Sequence, residues 1–143
     1  MHISLERSSI FASIGWFAFA CSLFLPGMTY MQVPMQGWQI MVYSFAFLTE
    51  KPKSLGDIYI VLSGVANLCM VASPIVYFVI KKSRWRFIPH VYSFCATLFA
   101  SYFFFFWSIG DFPLIAYYFA LLGYILITIS LYLRLIEHRP TPA

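Results

Sequence analysis

Two apolar runs, Ile58 to Ile80 and Phe87 to Ile109, each hold 23 residues without an Asp, Glu, Lys or Arg. At ~1.5 Å of rise per helical residue, either run is long enough to cross a hydrocarbon core about 30 Å thick. A third uncharged run covers Leu114 to Leu133, and a fourth, Ser8 to Leu25, follows Arg7. The pattern predicts an all-α integral membrane protein, a four-transmembrane-helix antiparallel bundle forming a single membrane domain over residues 1–143. Its spans are expected at about 8–25, 58–80, 87–109 and 114–133. The short connectors 81–86 and 110–113 force neighbouring helices to run side by side.

The segment 26–57 breaks the alternation of span and short turn. Within it Trp38 to Leu48 is apolar but rises only about 16 Å as a helix, too little to cross a bilayer. Trp38, Met41, Val42, Phe45 and Leu48 recur at three-four spacing, with Gln39, Tyr43, Ser44 and Ala46 on a weakly polar side. This predicts an extra interfacial or shallowly re-entrant helix at about 38–48 in the first external loop. Pro26 and Gly27 end the first span, Gly37 precedes the surface helix, and Lys51 to Asp57 reads as a polar turn region. Met28 to Gln36, interrupted by Pro34, either lies on the outer leaflet or closes over the bundle.

Charge then orients the chain. Lys81, Lys82, Arg84 and Arg86 sit between the second and third spans, and placing them in the cytoplasm puts seven of the nine cations inside. Lys51 and Lys53 remain outside with Glu50, Asp57 and Asp111, the asymmetry expected of an N-in, C-in multi-pass protein. The four loop cations are therefore read as topology determinants. An N-terminal cleavage before Cys21 is disfavoured, because Phe19 is a poor residue just upstream and the apolar run continues through Leu25.

Composition agrees: 62% hydrophobic, 21% aromatic and 10% charged residues, with a mean hydropathy of +0.81, leave too little polar surface to cover a soluble domain. The net charge of +4 follows from the loop cations, so it argues for orientation and not for nucleic acid.

Few polar residues enter the spans. Asn67 is the deepest amide, where an unpaired side chain costs several kcal/mol. It forms with Ser63 and the kink-forming Pro74 a candidate intramembrane polar site. An interhelical hydrogen bond is the expected use of Asn67, with a ligand role as the alternative. Pro74 removes a donor and crowds the carbonyl of Met70. Small residues recur at four-residue spacing in the third span, as Ser93, Thr97 and Ser101 and as Ala96 and Ala100. The fourth span offers Ala116, Ala120 and Gly123, and the first offers Ser9, Ser13, Ala18 and Ser22. Such stripes permit close helix approach.

Phe103, Phe104, Phe105, Phe106 and Trp107 fill more than one turn, so they cannot all face one partner. With Trp38, Met41 and Phe45 they form a candidate surface for lipid or a protein partner. Trp85 and Trp38 read as opposite interface anchors, and Tyr117 and Tyr118 fit the outer belt.

Several chemistries lack their residues. Cys21, Cys69 and Cys95 form no Cys-x-x-Cys pair and fall within spans, so exposed dithiol chemistry is not expected. His2, His90 and His138 supply no mid-membrane pair for haem. No span carries the carboxylate usual in proton-coupled transport. No metal set, catalytic carboxylate pair or phosphate loop is visible, and no cofactor is expected.

Leu23-Phe24-Leu25-Pro26, Gly37-Trp38-Gln39, Ala66-Asn67, and Gly123-Tyr124 with Leu126 and Ser130 together resemble a loosely defined group of small, uncharacterised four-span bacterial inner-membrane proteins. The order of these pieces covers most of the chain. The group often has Pro after the Asn and Trp after the fourth-span Leu, where this chain has Leu68 and Ile127. Some members of such groups sit beside secreted toxins as candidate immunity proteins; the resemblance assigns no catalytic residue.

The expected function is therefore non-enzymatic: protein-protein association in the bacterial inner (cytoplasmic) membrane, as accessory subunit of a membrane complex or as toxin-immunity partner. Membrane lipids and another membrane protein are the expected partners. The alternative is a carrier or enzyme with an intramembrane pocket for a lipid, quinone or other apolar ligand, oriented by Asn67 and Ser63.

Overall fold

The computed structural model describes residues 6–30, 33–80, 85–109 and 115–137, with side chains described for all of these except 28–30 and 102–109. Five helices and one hairpin follow in the order α1 (Arg7–Phe24), β1 (Pro26–Tyr30), β2 (Val33–Gln36), α2 (Gly37–Phe47), α3 (Leu55–Val79), α4 (Ile88–Ile109) and α5 (Ile115–Glu137). Three of the helices, α1, α3 and α5, are long and apolar enough to cross a membrane. The protein is mostly helical and reads as a membrane protein.

α5 is the central element. Tyr117, Ala120, Tyr124, Ile127, Leu131 and Arg134 are all buried, and their three-four spacing runs one stripe along the whole helix. α1 is its principal neighbour. The buried face of α1 is built wholly of small residues, Ser8, Ala12, Gly15, Ala18 and Ser22, so the two backbones approach closely. Where they cross, a Cβ on Gly15 would stand 3.1 Å from side-chain carbons of Leu126 and Ile127, and one on Gly123 would stand 3.0 Å from the Gly15 carbonyl oxygen. Ala18 and Ser22 lie in this contact as the sequence suggests. Ser9 is only half-buried and Ser13 is exposed; the buried line is one residue removed, through Ser8 and Ala12.

α3 begins with a capping box. Ser54 Oγ accepts from the Asp57 amide at 3.1 Å and Asp57 Oδ2 accepts from the Ser54 amide at 3.0 Å, satisfying donors that the first turn leaves open. That cap starts the helix three residues before the uncharged run, at Leu55 in place of Ile58. The last helix, α5, continues past Leu133 to Glu137, where Arg134 pairs with Glu6 at the N-cap of α1 and Glu137 accepts from Ser8 in its first turn.

Two features depart from the pattern-based reading of residues 26–57. The stretch around Met28 to Gln36, for which the pattern predicts no secondary structure, pairs as an antiparallel hairpin, with Met28 opposite Met35, Thr29 opposite Pro34 and Tyr30 opposite Val33. It closes back on the helices: the Gly37 amide donates to the Leu25 carbonyl at 2.9 Å, and a Cβ on Gly37 would collide with the Ser22 carbonyl. Gly37 is thus required for close approach as well as for marking the start of α2. α2 itself packs on α3. Its buried residue is Ser44, from the side read as weakly polar. A Cβ on Gly64 would meet the Ser44 carbonyl oxygen at 2.7 Å, so only small residues fit at this crossing.

The glycine crossing yields a prediction. Gly15→Leu and Gly123→Leu should each destabilise the detergent-solubilised protein by about 1–3 kcal/mol through overpacking. A lowered thermal midpoint in both variants is the expected result, and an unchanged midpoint in either contradicts the crossing.

Candidate functional site

A directed chain of hydrogen bonds links α5, α3 and α2. Tyr124 Oη donates to Asn67 Oδ1 at 3.3 Å, Asn67 Nδ2 donates to Ser44 Oγ at 3.3 Å, and Ser44 Oγ donates to the Met41 carbonyl at 2.7 Å. Asn67 is 6% exposed and Tyr124 is fully buried. In such surroundings an unpaired amide or hydroxyl is costly, and each member of the chain answers that cost for the next. Asn67 thereby joins three helices.

Ser63 stands one turn from Asn67 on α3, and both line a cavity of about 70 Å³. Every helix contributes a wall: Phe19 and Ser22 from α1, Ile40 and Met41 from α2, Phe99 from α4, and Ala116, Tyr117 and Ala120 from α5, with Gly27 and Gly37 at the hairpin. The void exists because so many of these residues are Gly, Ala or Ser. Its polar side chains are largely engaged elsewhere. Ser22 Oγ donates to the Phe19 carbonyl at 2.6 Å, and Tyr117 Oη donates to the carbonyls of Phe99 and Ala100 at 2.5 and 3.2 Å. The Tyr117 ring also stacks on Phe99, with centroids 5.3 Å apart.

Pro74 lies away from this cavity and takes part in a different arrangement. Proline has no N–H for the Met70 carbonyl four residues back, and Ser73 Oγ supplies the missing donor at 2.7 Å. Trp16 Nε1 in turn donates to Ser73 Oγ at 2.9 Å. The backbone defect created by Pro74 is thus closed by its own neighbour and tied to α1.

A second polar cluster gathers at the end of the molecule where α1 starts and α5 finishes. Ser8 donates its amide to Glu137 Oε1 at 3.2 Å and its hydroxyl to Glu137 Oε2 at 2.5 Å. Ser130 Oγ donates to the Ser8 carbonyl at 2.8 Å, and the Ser8 hydroxyl stands 3.1 Å from Tyr77 Oη. Arg134 is buried, pairs with Glu6, and places its guanidinium 4.6 Å from the centre of the Tyr77 ring. A buried cation needs such partners. On α4, His90 Nδ1 lies 2.8 Å from Tyr132 Oη. These contacts unite Ser8 on α1, Tyr77 on α3, His90 on α4 and Arg134 on α5 at one end.

The remaining candidate residues separate. Trp38 is exposed, Phe45 is half-buried, and Met41 turns into the cavity wall. Phe103 to Trp107 fall within α4, their side chains outside the described residues. Lys81, Lys82 and Arg84 also lie outside the described residues, and Arg86 is exposed. The cysteines are free thiols, with Cys69 and Cys95 within reach of each other between α3 and α4. Among the described residues no group of three His, Cys, Asp or Glu side chains is placed to hold a metal ion.

Several participants lie outside the candidate site read from the sequence. Ser44 had only its place on the weakly polar side of the surface helix, Tyr124 its place in the Gly123-Tyr124 piece, and Ser73 its adjacency to Pro74. The Glu6–Arg134 pair had a better signal: opposite charges at the same expected end of the first and last spans.

The small residues of α4 have a distinct setting. Ser93, Ala96, Thr97 and Ala100 form one wall of an open groove of about 370 Å³, and Leu121, Ile125, Thr128 and Ile129 of α5 form the other. Comparison with known proteins finds no matching family model, curated protein or solved structure.

The hydrogen-bonded chain carries its own prediction. A double-mutant cycle of Asn67→Ala and Tyr124→Phe, read by unfolding in detergent, should show a coupling of about 0.6 to about 1.7 kcal/mol. Strict additivity would contradict the bond.

Proposed function

We propose that this chain is a four-span protein of a bacterial inner membrane that acts by associating with another membrane protein, without catalysis. Support for the fourth span comes from α4, whose 22 residues carry no charged side chain and rise about 33 Å as a helix. The cluster at Ser8, Tyr77, His90 and Arg134 supports helices of alternating direction, with the ends of α1 and α5 beside the basic loop. The positive bias of that side supports its cytoplasmic location.

The observation that carries the association reading is the α4–α5 groove. Stripes of Ser, Ala and Thr at four-residue spacing let one helix approach another closely in a membrane. On α1 the equivalent stripe is covered by α5. On α4 the stripe of Ser93, Ala96, Thr97 and Ala100 is left as an open wall, shaped for a helix the described chain does not supply. The polar side chains deep in the protein, by contrast, are turned to one another, which leaves apolar contact as the principal outward property. An accessory subunit or a toxin-neutralising partner fits this description, the latter in keeping with the resemblance to small four-span inner-membrane proteins.

Photo-crosslinking in native membranes tests the proposal. A benzophenone side chain at Thr97, in the groove, should give one discrete protein adduct, which Ala96→Leu combined with Ala100→Leu abolishes. The same group at Ile75, exposed on α3, should give none. Lipid adducts alone at both positions, or a Thr97 adduct indifferent to the two leucines, would refute it.

A further inference from the structure

We infer that the cavity beneath the hairpin is a binding site for the end of an unbranched acyl chain. This site is separate from the α4–α5 groove and does not rest on the association reading.

Volume selects the ligand class. An apolar cavity of ~150 Å³ holds a benzene ring, whereas this one offers about 70 Å³. A quinone or other ring system is too large for the space as formed, and a few methylenes are not. Polarity favours hydrocarbon over the other small occupant, water. Water needs two to four polar partners to occupy a buried site. The hydroxyls of Ser22 and Tyr117 and the amide of Asn67 already have partners within the protein. Ser63 is the lining hydroxyl not bonded to another described residue, and most of the wall around it, from Phe19, Ile40, Met41, Phe99 and Ala120, is apolar, so methylenes match it better than water does.

A neighbouring space points to the bilayer as the direction of approach. A smaller void between α3 and α4, lined by Tyr59, Leu62, Ala66 and Leu98, shares Ser63 and Phe99 with the main cavity. Both spaces border that pair, and the outward residues nearby, Val65 and Leu68 on α3 and Val91 and Phe94 on α4, are apolar and exposed. A flexible chain can thread such a gap one methylene at a time; a rigid ligand cannot. Burying each methylene contributes about 0.8 kcal/mol, so a chain end gains from the site without any hydrogen bond.

The full chain, reconstituted in phosphatidylcholine nanodiscs, can be illuminated with two probes. One is a phosphatidylcholine bearing a diazirine at the end of an acyl chain, and the other is free palmitic acid with the same group. Either probe is expected to label Met41 or Phe99, and Ala120→Phe should reduce that labelling by about tenfold without changing labelling at exposed Ile75 and Phe78. If Ala120→Phe does not fold, Ser63→Leu at the junction of the two voids should have the same effect. Labelling by the lipid probe alone assigns the chain to a bilayer lipid, and by the fatty acid alone to a free acid; both uphold the site. Adducts confined to exposed positions, or cavity labelling unaffected by the filling substitution, overturn it.

Discussion

A polar group inside hydrocarbon has no water to fall back on, and this constraint shapes the buried polar contacts of the described residues. Asn67 draws in Ser44 and Tyr124 because an unpaired amide would cost more than ordering two further side chains. Ser73 closes the carbonyl that Pro74 leaves open, and Trp16 then ties that hydroxyl to α1. At the end of α1 the same requirement binds Ser8 to Glu137 and Ser130, and Arg134 to Glu6. Each of these is weak alone. Together they specify which helix faces which, a task that apolar packing in lipid does poorly because lipid tails are as apolar as leucine.

Close approach is the second determinant, and it explains both what is filled and what is empty. Gly15 against Gly123 and Ser44 against Gly64 let backbones come near enough for dispersion to hold them. The same small residues leave space where no neighbour arrives. Around Ser63 the result is a recess among the helices; along Ala96 and Ala100 it is a more open groove. The proposed pocket for a chain end and the proposed seat for a partner helix are thus two outcomes of one compositional habit.

Much of the helical layout was legible in the sequence. Charge-free runs of span length mark α3 and α4 to within three residues at each end, because nothing but lipid or protein can cover them. Helix α2 was legible from three-four spacing, but its buried side was not. The larger apolar residues suggested the contact face, whereas the short Ser44 side chain is what admits α3. The hairpin was hidden because Pro34 and Gly37 resemble loop punctuation, and pairing of Met28 with Met35 is a tertiary fact without a local periodicity. Asn67 could be recognised as needing a partner, but not which one: Tyr124 lies 57 residues away on a helix with several tyrosines. Pro74 shares a face of α3 with Asn67 and Ser63 but lies about two and three turns further along the axis, beyond the cavity, and Ser73 answers the freed carbonyl there.

The proposed topology has the start of α1 and the end of α5 sharing a side with the basic loop while the turn before α3 faces the other way. Single cysteines at Ser54, Ser83 and Thr141, placed in a background without Cys21, Cys69 and Cys95, can be probed in intact cells with a membrane-impermeant maleimide. Labelling of the cysteine at position 54 alone, with positions 83 and 141 reacting only after the membrane is opened, is the result the topology requires. Labelling of positions 83 and 141 from opposite sides would contradict it.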